Sequence, residues 1–445
     1  MNVQKIWWMA LFLMVPLRLV SPAQAAPPNV VILLSDDQAW TDFSFMGHPH
    51  IRTPHLDQLA EESLTFTRGY VPDSLCRPSL MTLITGRYAH DHGITGNDPV
   101  PPPELQKLPR GKMRAHPEYQ QLLQRFISHI DDEQTLPALL KQQLGYQSLQ
   151  TGKWWEGNYR RGGFTAGMSS GDPKHGGRHG DEGLDVGRKT MEPVYDFIRS
   201  AKSAGEPFFV WYAPMMPHSP HTPPDRILDH YRDKTPHLAV AKYWAMCEWY
   251  DETVGQLLHF LDEQSLSDNT IVISLCDNGW INDEQADRYA PRSKRSPYDG
   301  GLRTPITIRW PGHVSPRFDR EHPVSEIDIV PTVLAAVGAH GRPDLPGINL
   351  LDDKAVKNRQ AIFGEILEHD VVDIDQPVRS LMFRWIVSGD WKLIIPNSER
   401  EPQASVELFR ITSDPNEATN LAAQNPDVVA ELQAQLNAWW PEAAP

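Results

Sequence analysis

Two acidic pairs occupy positions that suit a metal ion. Asp36 and Asp37 directly follow the apolar run NVVILLS, and Asp277 and Asn278 directly follow the apolar run TIVISLC. Adjacent carboxylates repel each other unless a cation neutralises them, and carboxylate and amide oxygens are the ligands that Ca²⁺ and Mg²⁺ prefer. Each pair alone also fits a plain surface turn, because Asn-Gly is a common turn dipeptide. Together they predict one site for a hard divalent cation, for which we expect Ca²⁺.

A single cysteine holds the other prominent position. Cys76 begins CRPSLMTLIT, an apolar helical pattern that ends before Gly86. The protein has three cysteines, so at least one thiol has no disulfide partner. Cys247 lies in a helical pattern and Cys276 ends a strand pattern; both fit small buried side chains, and a bridge between them stays open. Cys76 is therefore the thiol with a candidate chemical role.

Cationic side chains lie in several loops of the chain. Lys153 lies in TGKWWEG, Lys294 lies in PRSKRSPYDGG, and His218 and His221 share the proline-rich loop MMPHSPHTPP. A loop lysine is most often a solvated charge, and a histidine beside a buried strand is often structural. The alternative is a local anion site in a protein whose formal net charge is −15. That overall charge argues against nucleic acid or an anionic membrane surface as a partner.

These residues need a scaffold that brings loops together. Strand-like apolar runs alternate with helical segments through most of the chain, which is typical of an α/β domain with a mostly parallel sheet. In such sheets the binding site lies at the carboxyl ends of the strands. The two acidic pairs, Lys153 and His218 each follow a strand-like run. We therefore expect them to meet at one edge of the sheet.

The last part of the chain has a different pattern. From about residue 340, short strands such as those in MFRWIVSGDWKLIIPN alternate with polar turns, and DVVAELQAQLNAWW forms a closing amphipathic helix. We predict an α/β catalytic domain over 26–340 and a smaller α+β subdomain over 341–445. The predicted fold class is α/β, with a large, mostly parallel sheet flanked by helices and a short antiparallel sheet near the C-terminus.

The first 25 residues have the pattern of a signal peptide. Lys5 supplies a positive start, residues 6–17 are apolar, and residues 23–25 supply the small side chains of a cleavage site. We therefore predict export to the periplasm or secretion. No later segment is long and apolar enough to predict a transmembrane helix, so we expect no membrane insertion.

Taken in order, the motifs resemble those of the type I sulfatases of the alkaline phosphatase superfamily. The family signature is Cys-x-Pro-Ser-Arg, then a helical run and Thr-Gly-Arg; here Cys76-Arg77-Pro78-Ser79-Leu80 is followed by MTLITGR. The matches keep the family's order from residue 30 to residue 421. The other matching motifs are Asp36-Asp37, Gly152-Lys153-Trp154, His218-Ser219-Pro220, Asp277-Asn278-Gly279, Lys294, the run from Tyr298 to Pro305 that contains Arg303, and ELFRITSDPNEATNLA.

This resemblance implies an alkaline-phosphatase-like fold, a reaction and a set of roles. In the family, a formylglycine-generating enzyme oxidises the signature cysteine to an aldehyde, whose hydrate attacks the sulfur of a sulfate ester. The alcohol leaves, and elimination then releases sulfate, with a divalent cation bound nearby. On these grounds we assign Cys76, Lys153, His218 and Lys294 to catalysis, and Asp36, Asp37, Cys76, Asp277 and Asn278 to the cation. We expect Arg77, Trp155, His221 and Arg303 to contact substrate.

Two positions depart from the family pattern. Leu80 replaces the signature arginine, which in the family helps to fix the nucleophile and belongs to the motif read by the converting enzyme. Trp155 replaces a histidine that contacts the hydrated aldehyde. These changes bear on formylglycine formation and on the geometry around residue 76. Arg77 supplies a replacement charge only if its side chain turns toward the site.

The sequence thus predicts an exported, calcium-dependent sulfatase that acts on sulfate esters or sulfamates of a sulfated glycan, or on a small sulfate ester. One alternative is a phosphodiesterase or phosphonate monoester hydrolase of the same superfamily, which often uses transition metals bound through further His and Asp ligands. Another is a sulfated-glycan binding protein that has lost turnover through Leu80. Segments 97–131 and 160–187 lack core periodicity, and we expect them to form a basic substrate rim.

Overall fold

An eight-stranded sheet forms the centre of the protein, which a computed structural model describes over residues 27–172 and 181–443. One strand, β9, runs antiparallel to both of its neighbours, and all other adjacent pairs are parallel. In order across the sheet, the strands are β10 (Arg317–Asp319), β2 (Leu64–Phe66), β9 (Ile306–Arg309), β8 (Thr270–Cys276), β1 (Asn29–Ser35), β7 (Phe208–Ala213), β5 (Gln147–Gly152) and β6 (Ala166–Gly167).

Helices cover both faces of this sheet. Alternate residues of β1 point to opposite faces, so Val30 and Ile32 join one apolar cluster while Val31 and Leu33 join another. Burial on both sides explains why the central strands are continuous apolar runs. The helices are α1 (Pro54–Glu61), α2 (Cys76–Thr85), α3 (Ala89–His92), α4 (Pro103–Gln106), α5 (Arg110–Arg114), α6 (Pro117–Ile127), α7 (Leu136–Leu144), α8 (Glu192–Ala204), α9 (Asp225–Leu228), α10 (Leu238–Glu263), α11 (Asp299–Leu302), α12 (Ile329–Ala336), α13 (Asp353–Asn358) and α14 (Pro426–Trp439).

A second, antiparallel sheet lies in the C-terminal part, which confirms the predicted fold class. Its order is β12 (Ile362–Leu367), β14 (Leu381–Ser388), β15 (Trp391–Pro396) and β16 (Glu407–Arg410), and α14 packs against it through Leu432 and Leu436. Two short parallel pairs complete the strands: β3 (Gly69–Tyr70) with β11 (Val324–Ser325), and β4 (Asp98–Pro99) with β13 (Asp370–Val371).

Segment 97–131 is more regular than its composition indicated. It contains β4 and the three helices α4, α5 and α6, so a lack of core periodicity in the sequence does not mean a lack of regular structure here. Prolines at or just before the first helical residue fix the backbone angle needed to start each helix. On α6 the buried side chains are Tyr119, Phe126 and Ile127, a spacing that places all three on one helical face.

Some predictions fall where the structure gives no description. The predicted signal peptide, residues 1–25, and residues 173–180 of the second predicted rim segment lie outside the described residues. Within 27–172 and 181–443, no helix combines the length and apolar character needed to cross a bilayer.

Candidate active site

Strand register places the two acidic pairs side by side. Ser35, the last residue of β1, lies opposite Cys276, the last residue of β8, so the residues that follow both strands emerge together. The backbone N–H of Asp277 donates to Ser35 O at 3.1 Å, and that of Asp37 donates to Asp277 Oδ1 at 3.1 Å. The acidic pairs therefore meet at the carboxyl edge of the sheet, as the alternation of strands and helices predicts.

Cys76 begins α2 and approaches this same edge. All ten residues of α2 are buried, and the Cys76 Sγ lies 2.9 Å from Nζ of Lys294. Suitable ligand atoms of Cys76, Asp36, Asp37 and His218 all lie within 4.8 Å of one another. Burial raises the pKa of the Cys76 thiol to about 12, so an unmodified side chain here is a neutral thiol at pH 7.

Two buried lysines neutralise most of the acidic charge. Lys153 follows β5, and its Nζ lies 2.5 Å from Asp36 Oδ1 and 3.3 Å from Asp277 Oδ2. Lys294 Nζ donates to Asp37 Oδ1. Burial lowers the pKa of both lysines, but the neighbouring carboxylates outweigh burial and raise both values above the ordinary one. Both side chains are therefore held as cations.

Close backbone contacts fix the loops that carry these lysines. Gly152, just before Lys153, has φ +68°, and a Cβ there would lie 1.7 Å from Ala213 O at the end of the neighbouring strand. In the Lys294 loop, a Cβ on Gly301 would lie 2.2 Å from Ser293 O. Only glycine lets the backbone come this close to the neighbouring carbonyl oxygen, which explains the glycine before Lys153 and the Gly300-Gly301 pair.

His218 presents an unprotonated nitrogen to the acidic cluster. Its Nδ1 donates to Ser219 O at 2.6 Å, so the neutral ring carries its proton there and leaves a lone pair on Nε2. That Nε2 lies 3.5 Å from Asp37 Oδ2. Burial is the main cause that lowers the pKa of His218 to about 4. Two electron-rich atoms thus face each other, an arrangement that a cation between them would stabilise.

The oxygens of the predicted ligands fit a metal ion. Asp36 Oδ2, Asp37 Oδ2 and Asn278 Oδ1 are buried and have no hydrogen-bond partner among the described residues. Burial and the neighbouring Asp36 carboxylate raise the pKa of Asp277 to about 6, a sign that negative charge is crowded here. Buried acceptors without donors are costly, so these atoms form a ready ligand set for a hard cation.

Three of the predicted substrate contacts have protein neighbours close to their charged groups or rings. Arg77 makes a bidentate ion pair with Glu156, with both contacts at 2.6 Å. His221 is buried, with Nδ1 3.6 Å from Asp287 Oδ1. Arg303 packs over Trp40 at 3.9 Å and donates to Thr67 O at 3.0 Å. The guanidinium groups of Arg77 and Arg303 are therefore engaged within the protein, whereas both ring nitrogens of His221 have no hydrogen-bond partner among the described residues.

The two departures from the family signature share one environment. Leu80 and Trp155 are both buried and belong to the same apolar cluster, the one that packs α2 against the sheet. Trp155 also keeps its ring 6.0 Å from Nζ of Lys153. The two positions that hold an arginine and a histidine in the family pattern are therefore occupied by apolar side chains in this protein.

A pocket of about 340 Å³ opens onto Cys76; four of its lining residues are predicted site residues, and Asn97 and Arg110 belong to the predicted rim segment 97–131. Cys76, Trp155, His218 and Lys294 line it as predicted site residues. The basic character of Arg295 was visible in the Lys-Arg pair at 294–295, whereas His369 and Asn97 gave no local signal, because only the pairing of β13 with β4 brings them together. The remaining lining residues are Asn97, Arg110, Trp280, Asp287, Arg288, Tyr289, Arg295 and His369.

All three cysteines are buried free thiols. Cys247 packs in an apolar cluster with Tyr243, and Cys276 accepts a hydrogen bond from the backbone N–H of Gln38 at 3.2 Å. The disulfide that the sequence left open between them is not formed.

Comparison with known proteins decides the family. The sequence model described as Sulfatase matches residues 28–339, which is most of the chain. The chain belongs to the sulfatase family. A second model, described as N-sulphoglucosamine sulphohydrolase, C-terminal, matches residues 289–441 of this sulfatase-family protein. The resemblance drawn from the motifs is thereby confirmed.

Relatives and solved structures agree with this membership. The chain is 29% identical to human N-acetylgalactosamine-6-sulfatase over 73% of its own length, and spans 65% of that protein. It is 25% identical to N-acetylgalactosamine-6-O-sulfatase of Bacteroides thetaiotaomicron, over 92% of each chain. In fold it is similar to the PsFucS1 sulfatase from Pseudoalteromonas sp. (TM-score 0.65, 20% identity, 95% and 92% covered). It is equally similar to the phosphonate monoester hydrolase of Agrobacterium radiobacter (TM-score 0.66, 18% identity, 93% of this chain and 96% of that chain covered).

Proposed function

We propose that this protein hydrolyses sulfate esters or sulfamates of sulfated carbohydrates, with residue 76 as the nucleophile after its conversion to formylglycine. The observation that carries the proposal is the position of Cys76 at the start of α2, where its Sγ lies 2.9 Å from Lys294 Nζ and beside Asp36, Asp37 and His218. In this unmodified chain, Sγ marks the place from which an oxygen of formylglycine would act.

The acidic cluster would hold the cation. Asp36, Asp37, Asp277 and Asn278 would supply oxygen ligands together with residue 76, and the three unpartnered oxygens among them support this assignment. A bound divalent cation lowers the pKa of an oxygen nucleophile and polarises a sulfate oxygen. The oxygen-rich set favours Ca²⁺.

Formylglycine at residue 76 supplies an oxygen nucleophile that a neutral thiol of pKa about 12 does not. The resemblance to the type I sulfatases assigns the conversion to a formylglycine-generating enzyme, and the signal-peptide pattern of residues 1–25 places it during export. The start of α2 adds backbone N–H dipoles that favour an anion beside residue 76.

Three side chains would bind the sulfate and move protons. Lys153 and Lys294 are buried cations that offset the charge on the nonbridging sulfate oxygens. His218 is neutral at pH 7 and has its lone pair on Nε2, so it accepts a proton rather than donates one. Donation to the departing alcohol oxygen then falls to Nζ of Lys294.

The charge balance of the site suits a singly charged ester. Three carboxylates, of Asp36, Asp37 and Asp277, lie among the two ammonium groups of Lys153 and Lys294, which leaves one negative charge. A divalent cation turns this into one positive charge, equal and opposite to that of a sulfate monoester. Phosphate monoesters, with two negative charges near neutral pH, match less well. The 6-sulfated N-acetylgalactosamine named for two relatives is the first substrate to try.

A phosphonate monoester or phosphodiester hydrolase is the second candidate. Its substrates carry the same single charge, and His218 lies within the 4.8 Å set of ligand atoms, where an imidazole would favour a transition metal. The fold does not separate the two, because the likeness to a phosphonate monoester hydrolase equals that to a sulfatase.

The deciding experiment measures modification and turnover on the same exported preparation. We expect a mass loss of about 18 Da at residue 76, the change from a thiol to an aldehyde side chain, together with sulfate release from 6-sulfated N-acetylgalactosamine. Cys76→Ala should abolish release, whereas Cys247→Ala, a buried thiol outside the site, serves as the matched control. Turnover by a preparation with entirely unmodified Cys76 would contradict the proposed nucleophile.

A substrate panel separates the candidates. Preference for a phosphonate monoester or phosphodiester over every sulfate ester, with activity restored by Mn²⁺ or Zn²⁺ and not by Ca²⁺, would establish the second candidate. Binding of sulfated glycans without release of sulfate or phosphate would instead establish a binding protein.

A further inference from the structure

A second cavity adjoins the Cys76 pocket. Its volume is about 540 Å³, and it shares two lining residues, Asn97 and Trp155, with that pocket. Helices α5 and α6 form its outer wall. A group joined to the reacting residue would therefore reach this cavity past Asn97 and Trp155.

Ion pairs within the protein already use the arginines of this cavity. Arg77 donates from Nε and Nη2 to the two carboxylate oxygens of Glu156, at 2.6 Å each, and from Nη1 to Asn97 O at 3.0 Å. Arg114 Nη2 lies 3.0 Å from Asp98 Oδ2. Among the described lining residues, Arg77, Asp98 and Arg114 are the charged ones, so the cavity presents no uncompensated cation.

The Cys76 pocket has the opposite character. Four cationic side chains line it, and the one acidic side chain among its described lining residues is Asp287. The four cations are Arg110, Arg288, Lys294 and Arg295. Lys294 is paired with Asp37 and Arg288 with Asp283, so among the described residues Arg110 and Arg295 are the two without an ion pair. Helix α5 separates the two charge environments, since it presents Arg110 to the pocket and the paired Arg114 to the cavity. Of the basic residues in the predicted rim segment 97–131, Arg110 thus lines the Cys76 pocket, whereas Arg114 is paired with Asp98.

The rest of the cavity combines apolar side chains with amides. Tyr119, Leu123 and Ile127 supply apolar surface, and Gln120 and Gln124 supply amide donors and acceptors. Cavities of this size and mixed lining are typical ligand sites. An uncharged sugar ring has apolar C–H faces and a rim of hydroxyl groups, so its chemistry matches both kinds of lining.

We propose that this cavity binds an uncharged sugar residue linked to the residue that carries the reacting sulfate. The inference rests on the proposed function and makes it more specific: the enzyme selects glycans in which a charged, sulfated residue is followed by a neutral one. Because the described lining residues include no free cation, a carboxylate placed in the cavity would lose its hydration without gaining a charge partner there, which is unfavourable.

The test compares two disaccharides that differ in one group. Both carry 6-sulfated N-acetylgalactosamine, linked in one to a neutral hexose and in the other to the corresponding hexuronate. We expect kcat/KM for the neutral disaccharide to exceed that for the uronate by at least about tenfold, the scale of a missing polar partner. Equal values, or a preference for the uronate, would overturn the inference.

Matched variants locate the effect. Gln124 lines the cavity, whereas Gln121 lies on the same helix, is exposed and is not among the lining residues. Gln124→Trp should lower the ratio of disaccharide to monosaccharide kcat/KM by about tenfold, and Gln121→Trp should leave both values unchanged. Gln124→Lys should shift preference toward the uronate, with Gln121→Lys as its control. Identical ratios for the 124 and 121 variants would overturn the assignment.

The failure of the inference is separable from failure of the proposed function. Release of sulfate from the monosaccharide tests the function alone. If that release is absent, saturation-transfer NMR with the unsulfated neutral disaccharide still tests the cavity. A transfer signal that disappears in Gln124→Trp and persists in Gln121→Trp supports the cavity as the sugar site, whereas the absence of any signal with the unaltered protein overturns it.

Discussion

Lys294 contacts both a predicted cation ligand and the predicted nucleophile. Its Nζ donates to Asp37 Oδ1 and lies 2.9 Å from the Cys76 Sγ, inside a site where the side chain is almost fully buried. A charge held in a dry, fixed position interacts with a transition state far more strongly than a solvated one. Removing this one ammonium group should therefore affect the reaction more than the fold.

We predict that Lys294→Ala lowers kcat/KM on a small aryl sulfate by about 10²–10³-fold, the usual effect of removing one preorganised charge. Steady-state kinetics with folded protein measure this directly. Lys141→Ala, at an exposed position of α7, is the control and should match the unaltered protein. A Lys294→Ala enzyme within threefold of normal would exclude this loop from the sulfate subsite.

Asp277 tests the cation site. We predict that Asp277→Asn lowers the affinity for Ca²⁺ by more than about tenfold, because one of three clustered carboxylates is lost at nearly constant shape. Elemental analysis after equilibrium dialysis, and the increase in Tm on adding Ca²⁺, both report the loss. Asp287→Asn removes a carboxylate that lines the Cys76 pocket outside the cluster, and this variant should retain one equivalent of Ca²⁺. Unchanged Ca²⁺ content in Asp277→Asn would disprove the ligand assignment.

At the scale of elements, a buried ion pair joins α2 to the loop after β5. Arg77 and Glu156 are both buried, lie 79 residues apart, and the Arg77 guanidinium also stacks on Phe126 of α6 at 4.3 Å. The pair thus ties the helix that carries Cys76 to the segment that carries Lys153. Its charge is compensated within the protein and not offered to substrate.

We predict that Glu156→Gln lowers the free energy of unfolding by about 3–5 kcal/mol, because it leaves a buried guanidinium without its counter-charge. Denaturant titration measures the change. The exposed pair Arg226–Glu252 has the same bidentate geometry, at 2.6 Å for both contacts, so Glu252→Gln is the matched control and should cost less than about 1 kcal/mol.

The double variant Arg77→Met, Glu156→Leu then distinguishes a buried pair from two independent contacts. It should be more stable than Glu156→Gln, since no unpaired charge is left in the interior. Equal losses for Glu156→Gln and Glu252→Gln would mean that the Arg77 site is solvated in solution.

At the scale of the whole molecule, the C-terminal sheet supports the segment that leads into Cys76. Pro72 O accepts from the backbone N–H of Glu365 at 3.0 Å and from Trp385 Nε1 at 3.1 Å. His369, which lies between β12 of that sheet and β13, lines the Cys76 pocket. Residues on both sides of the predicted boundary at residue 340 therefore line one pocket. The division of the chain into two domains at that residue stays a prediction.

A histidine at this junction gives a prediction for pH dependence. His90 of α3 stacks on Trp440 at 4.3 Å, and its Nδ1 lies 2.5 Å from Glu365 Oε2. Burial lowers the pKa of His90, but the charge and hydrogen bond of Glu365 outweigh burial and raise it above the usual value. A raised folded-state pKa stabilises the protein fully below the unfolded value of about 6.5, and this contribution is lost as pH rises through the folded value.

We therefore predict that Tm of the unaltered protein falls more than that of His90→Gln as pH rises above the unfolded-state pKa of about 6.5. Scanning calorimetry at matched ionic strength gives both curves, and the difference between them removes other titrating groups. His259→Gln, from the exposed pair with Glu263 at 3.2 Å, should leave the pH dependence unchanged. A His90→Gln curve parallel to the original would refute the coupling.

Much of this protein was predictable because the relevant signals are local. An apolar run followed directly by Asp identifies both a buried strand and the residue at its carboxyl end, and parallel strands bring such ends together without further information. The fold class and the meeting of Asp36, Asp37 and Asp277 follow from that rule, whereas the role of Cys76 came from the family resemblance. The order of the motifs along the chain indicated the family.

Tertiary packing decided what the motifs left open. The Arg77–Glu156 pair, the position of Arg303 over Trp40, and the approach of His369 to the Cys76 pocket each join residues far apart in the chain. A guanidinium binds a substrate anion or a protein carboxylate equally well by its chemistry, and only its neighbours in space determine which one it meets. Residue type and spacing thus fixed the chemistry at the strand ends, whereas long-range packing determined which charges remain free for a substrate.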